Sequence, residues 1–189
     1  MKFGAGEQHG DFRTLQDERW RKKRRLTAKH SQKIAERDGV MSDGLPVIIV
    51  DDDLAICQLM AQLVKRFYTW GEVFAFTDPD EAVAFCRHQQ TGVAIFILDV
   101  HMGERDCFSF LDAIQDKFPM AYQDCIIITG YANDNLVDMC VAADITYLIE
   151  KPIKTYALQF AVRAIISKYI KFAKKLLQDP ILAEHVAGI

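Results

Sequence analysis

From Val47 onward short apolar runs alternate with amphipathic stretches, and this alternation predicts the elements of the chain. "VIIV" (47–50) reads as a strand, and Ile56, Leu59, Met60, Leu63, Val64 and Phe67 after it fall at helical spacing. "EVFAFT" (72–77) reads as a second strand. In the "DPDE" that follows, Asp78 can cap a helix, Pro79 suits its first turn and Glu81 holds the capping-box position. The third strand is "AIFILD" (94–99), followed by a helix over about 107–117 that Pro119 stops. "CIIIT" (125–129) is the fourth, before a helix near 133–143 with Leu136, Val137, Met139, Cys140 and Val141 on or near its apolar face. "ITYLIE" (145–150) is the fifth, closed by Lys151 and Pro152, and the last helix runs from about Thr155 to Leu177, with a break at Pro180.

Five strands alternating with five helices predict an α/β fold with a parallel sheet covered on both sides, because parallel neighbours need crossover connections. The strands read as continuous apolar runs, as expected where both faces are buried. In such sheets ligands bind outside the carboxyl ends of the strands, so polar groups at those ends carry the chemistry. Four ends have them: Asp51, Asp52 and Asp53 after the first strand, Asp99 after the third, Thr129 after the fourth and Lys151 after the fifth. Carboxylates gathered on one rim repel one another and call for a cation; hard oxygen ligands with several waters suit Mg²⁺. A lysine and a hydroxyl facing the same point suit phosphoryl oxygens. Asp53 is expected to cap the first helix rather than to bind metal.

Composition and charge change the picture at the ends. The chain is 189 residues long and 50% apolar, enough for one domain with extensions. Of its 23 basic and 26 acidic residues, 11 and 7 fall in residues 1–44, leaving 12 and 19 for the rest, so a basic segment precedes an acidic body. The run "ERWRKKRRLTAKHSQK" (18–33) has no convincing apolar stripe and predicts a basic arm, helical or disordered. Self-association or contact with nucleic acid are its alternative roles. No apolar run is long enough to span a membrane, and the N-terminus lacks a secretory h-region, so a cytoplasmic location is expected. Cys57, Cys86, Cys107, Cys125 and Cys140 are scattered without a C-x-x-C pair, which predicts buried free thiols rather than disulfides or zinc.

Taken together, "VDDD", "ILDVHM", "IITGYA" and "EKP" resemble the receiver (phosphoacceptor) domain of two-component response regulators. The resemblance covers about residues 46–175, and the steps from Asp99 to Thr129 and from Thr129 to Lys151 agree with that family's pattern. It implies a flavodoxin-like sheet in the order 2-1-3-4-5, divided here as arm 1–44, receiver 45–175 and C-terminal extension 176–189. It further implies that Asp99 is the nucleophile taking a phosphoryl group from the phosphohistidine of a sensor histidine kinase or phosphotransfer protein. Asp51, Asp52, Asp99 and the backbone carbonyl of His101 would hold Mg²⁺, while Thr129 and Lys151 would contact phosphoryl oxygens beside Gly130. His101 and Tyr131 occupy the positions that tune acyl-phosphate hydrolysis in that family.

The sequence also departs from the family. Gly103 and Cys107 stand where the loop after the acceptor usually has proline and glycine, although Met102 matches. At the aromatic switch position stands Leu148, with Tyr147 one place earlier, so an altered or absent aromatic switch is expected beside Thr129. A partner surface on the fourth helix, fifth strand and fifth helix is expected to bind a partner or form a homodimer; nucleic acid is not an expected partner of the receiver part. Too few residues follow it for an output domain, leaving a stand-alone receiver or an output domain beyond residue 189 as the two organisations. Two other functions compete. A degenerate receiver would act as an interaction module without phosphorylation. A haloacid-dehalogenase-like phosphatase would use Asp51, Asp53, Thr129 and Lys151, but needs an acidic pair after the lysine, where only Asp179 and Glu184 remain, and leaves Asp99 without a role.

Overall fold

A computed structural model describes residues 44–187, and the basic arm expected over 1–44 lies outside them apart from Gly44. Five strands, β1 (Val47–Val50), β2 (Val73–Phe76), β3 (Ile95–Asp99), β6 (Cys125–Thr129) and β7 (Tyr147–Glu150), form one sheet in the order β2-β1-β3-β6-β7. Every pairing in it is parallel. This is the expected flavodoxin-like topology, because β4 (His101–Met102) and β5 (Arg105–Asp106) form a separate two-stranded hairpin. The helices are α1 (Leu54–Phe67), α2 (Pro79–His88), α3 (Cys107–Ile114), α4 (Asp134–Ala142), α5 (Thr155–Gln178) and α6 (Pro180–Ala187).

Alternation along the strands divides the core into two layers. Ile48, Val50, Phe96, Leu98 and Ile127 pack with residues of α2, α3 and α4. Their neighbours Val47, Ile49, Ile97, Ile126 and Ile128 pack with α1 and α5. Truncating any of these fully buried Ile or Leu side chains to alanine costs about 2–5 kcal/mol, from lost burial plus the cavity left behind. Asp53 caps α1 by accepting from the amides of Ala55 and Ile56, and Asp78 caps α2 through those of Asp80 and Glu81. Both caps are legible in the sequence. All five cysteines are free and buried, as expected.

Three elements differ from expectation. The helix expected to reach residue 117 ends at Ile114, whose carbonyl accepts from both Lys117 and Phe118. The chain turns there to bury Phe118 edge-on against Phe96, ring centroids 5.3 Å apart. The fifth strand starts two residues later than expected, because α4 closes on Asp144 at a φ of 59°. The Ile145 amide then donates to the Cys140 carbonyl and the Asp144 amide to that of Val141, a Schellman closure with aspartate at the usual glycine position. The hairpin β4–β5 was not expected at all. Its two-residue turn begins at Gly103, whose φ of 70° suits glycine.

Candidate functional site

The carboxyl ends of β1, β3, β6 and β7 form one rim, since all four strands run in the same direction. Asp51 follows β1 and is 1% exposed. Its Oδ1 accepts from the Asp53 amide at 2.9 Å, and its Oδ2 from Lys151 Nζ, also at 2.9 Å. The same Lys151 Nζ lies 3.0 Å from Oδ1 of Asp99, the last residue of β3. Carboxylate oxygens of Asp51, Asp52 and Asp99 all lie within 4.8 Å of one another. Asp51 and Asp99 therefore share one ammonium group with Asp52 close by, and among the described residues the rim holds more carboxylates than cations.

Burial pushes the Asp51 carboxyl above its ordinary value, and the nearby Asp99 charge adds to this. Hydrogen bonds from Lys151 and the Asp53 amide work against the rise without cancelling it. For Lys151, burial pulls its pKa down, but hydrogen bonds to Asp51 and Asp99 outweigh that and raise it. Beneath the rim, the Cys57 thiol donates to the carbonyls of Asp51 and Phe76, each at 3.2 Å, and burial pushes it up to about 11, so it remains a thiol. The oxygen-only donor set at the mouth of the rim matches a hard divalent cation. Asp51, Asp52 and Asp99 thus fit the metal role assigned to them from sequence.

The other expected residues fall around this centre. Thr129 ends β6; its hydroxyl donates to the Tyr131 carbonyl at 3.0 Å and accepts from the Tyr131 amide at 3.2 Å. The Lys151 amide donates to the Thr129 carbonyl at 2.7 Å, which ties the two strand ends together. A side chain at Gly130 would meet nothing within 4 Å, so the space beside Thr129 is open. His101 and Tyr131, both exposed, line with Thr129, Asp106 and Asn133 a groove of about 180 Å³ next to the rim. Tyr147 and Leu148 point to opposite faces of the sheet. Leu148 packs with the α4 layer and Tyr147 with the α1 and α5 layer. Tyr147 therefore stands across the sheet from the groove beside Thr129.

Asp53 spends its carboxylate on the α1 cap. That removes the second acid a haloacid-dehalogenase-like arrangement needs, while Asp99 sits at the centre of the rim.

Several supporting contacts were not anticipated from sequence. Asp106 and Ser109 form a reciprocal capping box at the start of α3, and the Cys107 amide donates to the Val100 carbonyl at 3.1 Å. Arg105 pairs with Asp80 at 2.7 Å, joining the hairpin to α2. Glu150 accepts from the Ala132 amide at 3.1 Å, linking β7 to the loop after β6. S/T/D followed three residues later by a polar residue signals the α3 cap; the other contacts join distant segments and have no local signal.

Fold and rim together define a flavodoxin-like α/β domain built around an acidic strand-end cluster with a lysine. The response regulator receiver domain family matches residues 47–163, and the chain belongs to that family. Among solved structures it is similar to a response regulator receiver domain protein from Clostridium thermocellum, at 20% identity over 70% of this chain and 98% of that one, TM-score 0.58. It is also similar to the signal receiver domain of a putative Luxo repressor protein from Vibrio parahaemolyticus, at 21% identity over 72% and 98%, TM-score 0.59. A CheY-like receiver domain protein from Methanospirillum hungatei JF-1 matches at 20% identity over 68% and 98%, TM-score 0.57. At these identities the likeness to the three structures concerns the fold.

Proposed function

We propose that Asp99 accepts a phosphoryl group from the phosphohistidine of a sensor histidine kinase or histidine phosphotransfer protein. The observation that carries this is the Asp99 carboxylate at the mouth of the rim, 3.0 Å from Lys151 and within 4.8 Å of two further carboxylates. A bond forms between an Asp99 oxygen and phosphorus as the bond from phosphorus to the donor imidazole nitrogen breaks. The electron pair of that bond leaves with the imidazole, which carries a proton on its other ring nitrogen and so departs as the neutral ring. Asp51, Asp52, Asp99 and the His101 carbonyl would hold Mg²⁺, which supplies positive charge to the phosphoryl oxygens during transfer.

Within this reading Lys151 turns one of its N–H donors from a carboxylate to a phosphoryl oxygen. The Thr129 hydroxyl leaves the Tyr131 carbonyl for another, and the space beside Gly130 admits the group. His101 and Tyr131 flank the line along which water reaches the acyl phosphate and set its lifetime. With Leu148 at the α4 face, repacking of the α4, β7 and α5 surface proceeds without an aromatic rotamer change there. That surface is where a partner protein or a second copy docks. The receiver comprises residues 45–175, with the arm and the C-terminal extension as appendages, and it works in the cytoplasm.

Incubating the chain with Mg²⁺ and acetyl phosphate and measuring intact mass tests the reading. A gain of one phosphoryl group that disappears in Asp99→Ala is expected. Absence of any gain with small-molecule and phosphohistidine donors would instead make the domain a phosphorylation-independent interaction module. A His101→Ala variant is expected to lose its phosphoryl group faster than the parent, and an unchanged decay removes His101 from the tuning role.

A further inference from the structure

Two segments wall the groove of about 180 Å³ beside the rim: the hairpin and α3 start that follow Asp99, and the loop into α4 that follows Thr129. Its apolar lining is Val100, Phe108, Leu136 and Met139. In the register of β4 with β5, His101 stands opposite Asp106, so both side chains leave the same face of that ladder, and both line the groove. Oδ1 of Asp106 accepts from the Ser109 amide at 2.7 Å in the α3 cap, while its Oδ2 has no protein partner among the described residues.

An occupant of this groove meets the Asp106 carboxylate on one wall, with those of Asp51, Asp52 and Asp99 on the neighbouring rim. That surround repels anions and favours a group presenting an N–H or a positive charge. The flat side chains of Phe108 and Tyr131 and the thioether of Met139 favour a ring over an aliphatic chain. A planar nitrogen heterocycle has both properties.

We propose that the groove seats the imidazole ring of the phosphohistidine donor, and that Asp106 accepts a hydrogen bond from the ring nitrogen that does not carry phosphorus. The assignment rests on Asp99 as the acceptor. During transfer the phosphoryl group stands between ring and acceptor, so the ring belongs beside Asp99 rather than against it. The groove begins there, at Val100, which follows Asp99 in the chain, and at Thr129 on the strand paired with β3. As the bond from phosphorus to nitrogen breaks, its electron pair stays on that nitrogen, the proton stays on the other, and the ring leaves neutral. A carboxylate facing that proton favours the protonated ring, whose bond to phosphorus is the easier one to break.

Phosphoimidazole and acetyl phosphate, each with Mg²⁺, serve as donors to the full chain, and the ratio of the two phosphorylation rates, followed by intact mass, is the measure. Acetyl phosphate brings neither ring nor N–H, so an imidazole seat acts on one donor only. Asp106→Asn keeps an oxygen to cap α3 and should lower the ratio of phosphoimidazole to acetyl phosphate rates by about tenfold or more, as for loss of a charge-assisted hydrogen bond. Met139→Ala, at a position 42% exposed, should lower it by about twofold to tenfold through a higher half-saturating phosphoimidazole concentration. The proposal is overturned if Asp106→Asn leaves the ratio unchanged, whether both rates hold or both fall together as a purely structural loss of the cap would make them. A chain that takes no phosphoryl group from either donor overturns the acceptor reading, and the imidazole seat with it.

Discussion

Two aspartates, each 1% exposed, sit at opposite ends of the same sheet and live in opposite circumstances. Asp124, at the base, receives Lys168 and Tyr169 on its two oxygens, and its own backbone bonds to Phe96 and Met120. Asp51, at the rim, shares its one ammonium partner with Asp99 and lies near Asp52. The same side chain is thus completed in one place and left electrostatically unfinished in the other. A buried charge that is fully paired serves architecture; one left short of positive charge is poised to take on a ligand.

The largest effect expected from breaking this contrast is at the rim. Mg²⁺ at a hundredfold excess over its Kd should stabilise the protein by about 2.7 kcal/mol, measured by urea unfolding, and Asp51→Asn should remove that response. At the base, Asp124→Ala should cost about 1–3 kcal/mol at any Mg²⁺ concentration, less than for a fully buried pair because Lys168 is 40% exposed. Without metal, Asp51→Asn should leave stability within about 1 kcal/mol of the parent or raise it, because burial opposes the charge that Asn lacks. Equal losses at both ends would erase the distinction.

The pH dependence sharpens it further. Asp51 binds its proton more tightly in the folded chain than in the unfolded one. Its contribution to metal-free stability is therefore present below the ordinary carboxylate value and lost as pH rises through the raised folded value. Mg²⁺ should reverse that slope, since it requires the ionised carboxylate, and urea midpoints across this acidic window with and without the ion measure the reversal. The smallest effect belongs to the hairpin tie. Arg105→Ala should cost no more than about 1 kcal/mol, since Asp80 is 76% exposed.

The contrast also explains what the sequence disclosed. The rim was legible because each of its residues ends an apolar strand, so strand prediction alone brought Asp51, Asp99, Thr129 and Lys151 to one edge. Asp124 also adjoins a strand, but its partners come 44 and 45 residues later on a helix, and nothing local in the sequence joins Lys168 or Tyr169 to it. The hairpin escaped notice because two-residue strands carry no periodicity. The early end of α3 follows from Phe118 finding Phe96, a tertiary contact that outweighs local helix propensity. At β7 the period-two rule alone separates Tyr147 from Leu148, and applying it strictly removes Tyr147 from the Thr129 side.

The paired hydrogen bonds between the Thr129 hydroxyl and the Tyr131 backbone set a threshold for the proposed signal. Each contributes about 0.5–1.5 kcal/mol, so giving up both weights the equilibrium by about 1–3 kcal/mol, roughly 5- to 150-fold, against the conformer in which Thr129 faces the rim. That weighting keeps spontaneous excursions to the minority of molecules, and a phosphoryl group must supply at least this much differential interaction before the domain reports it.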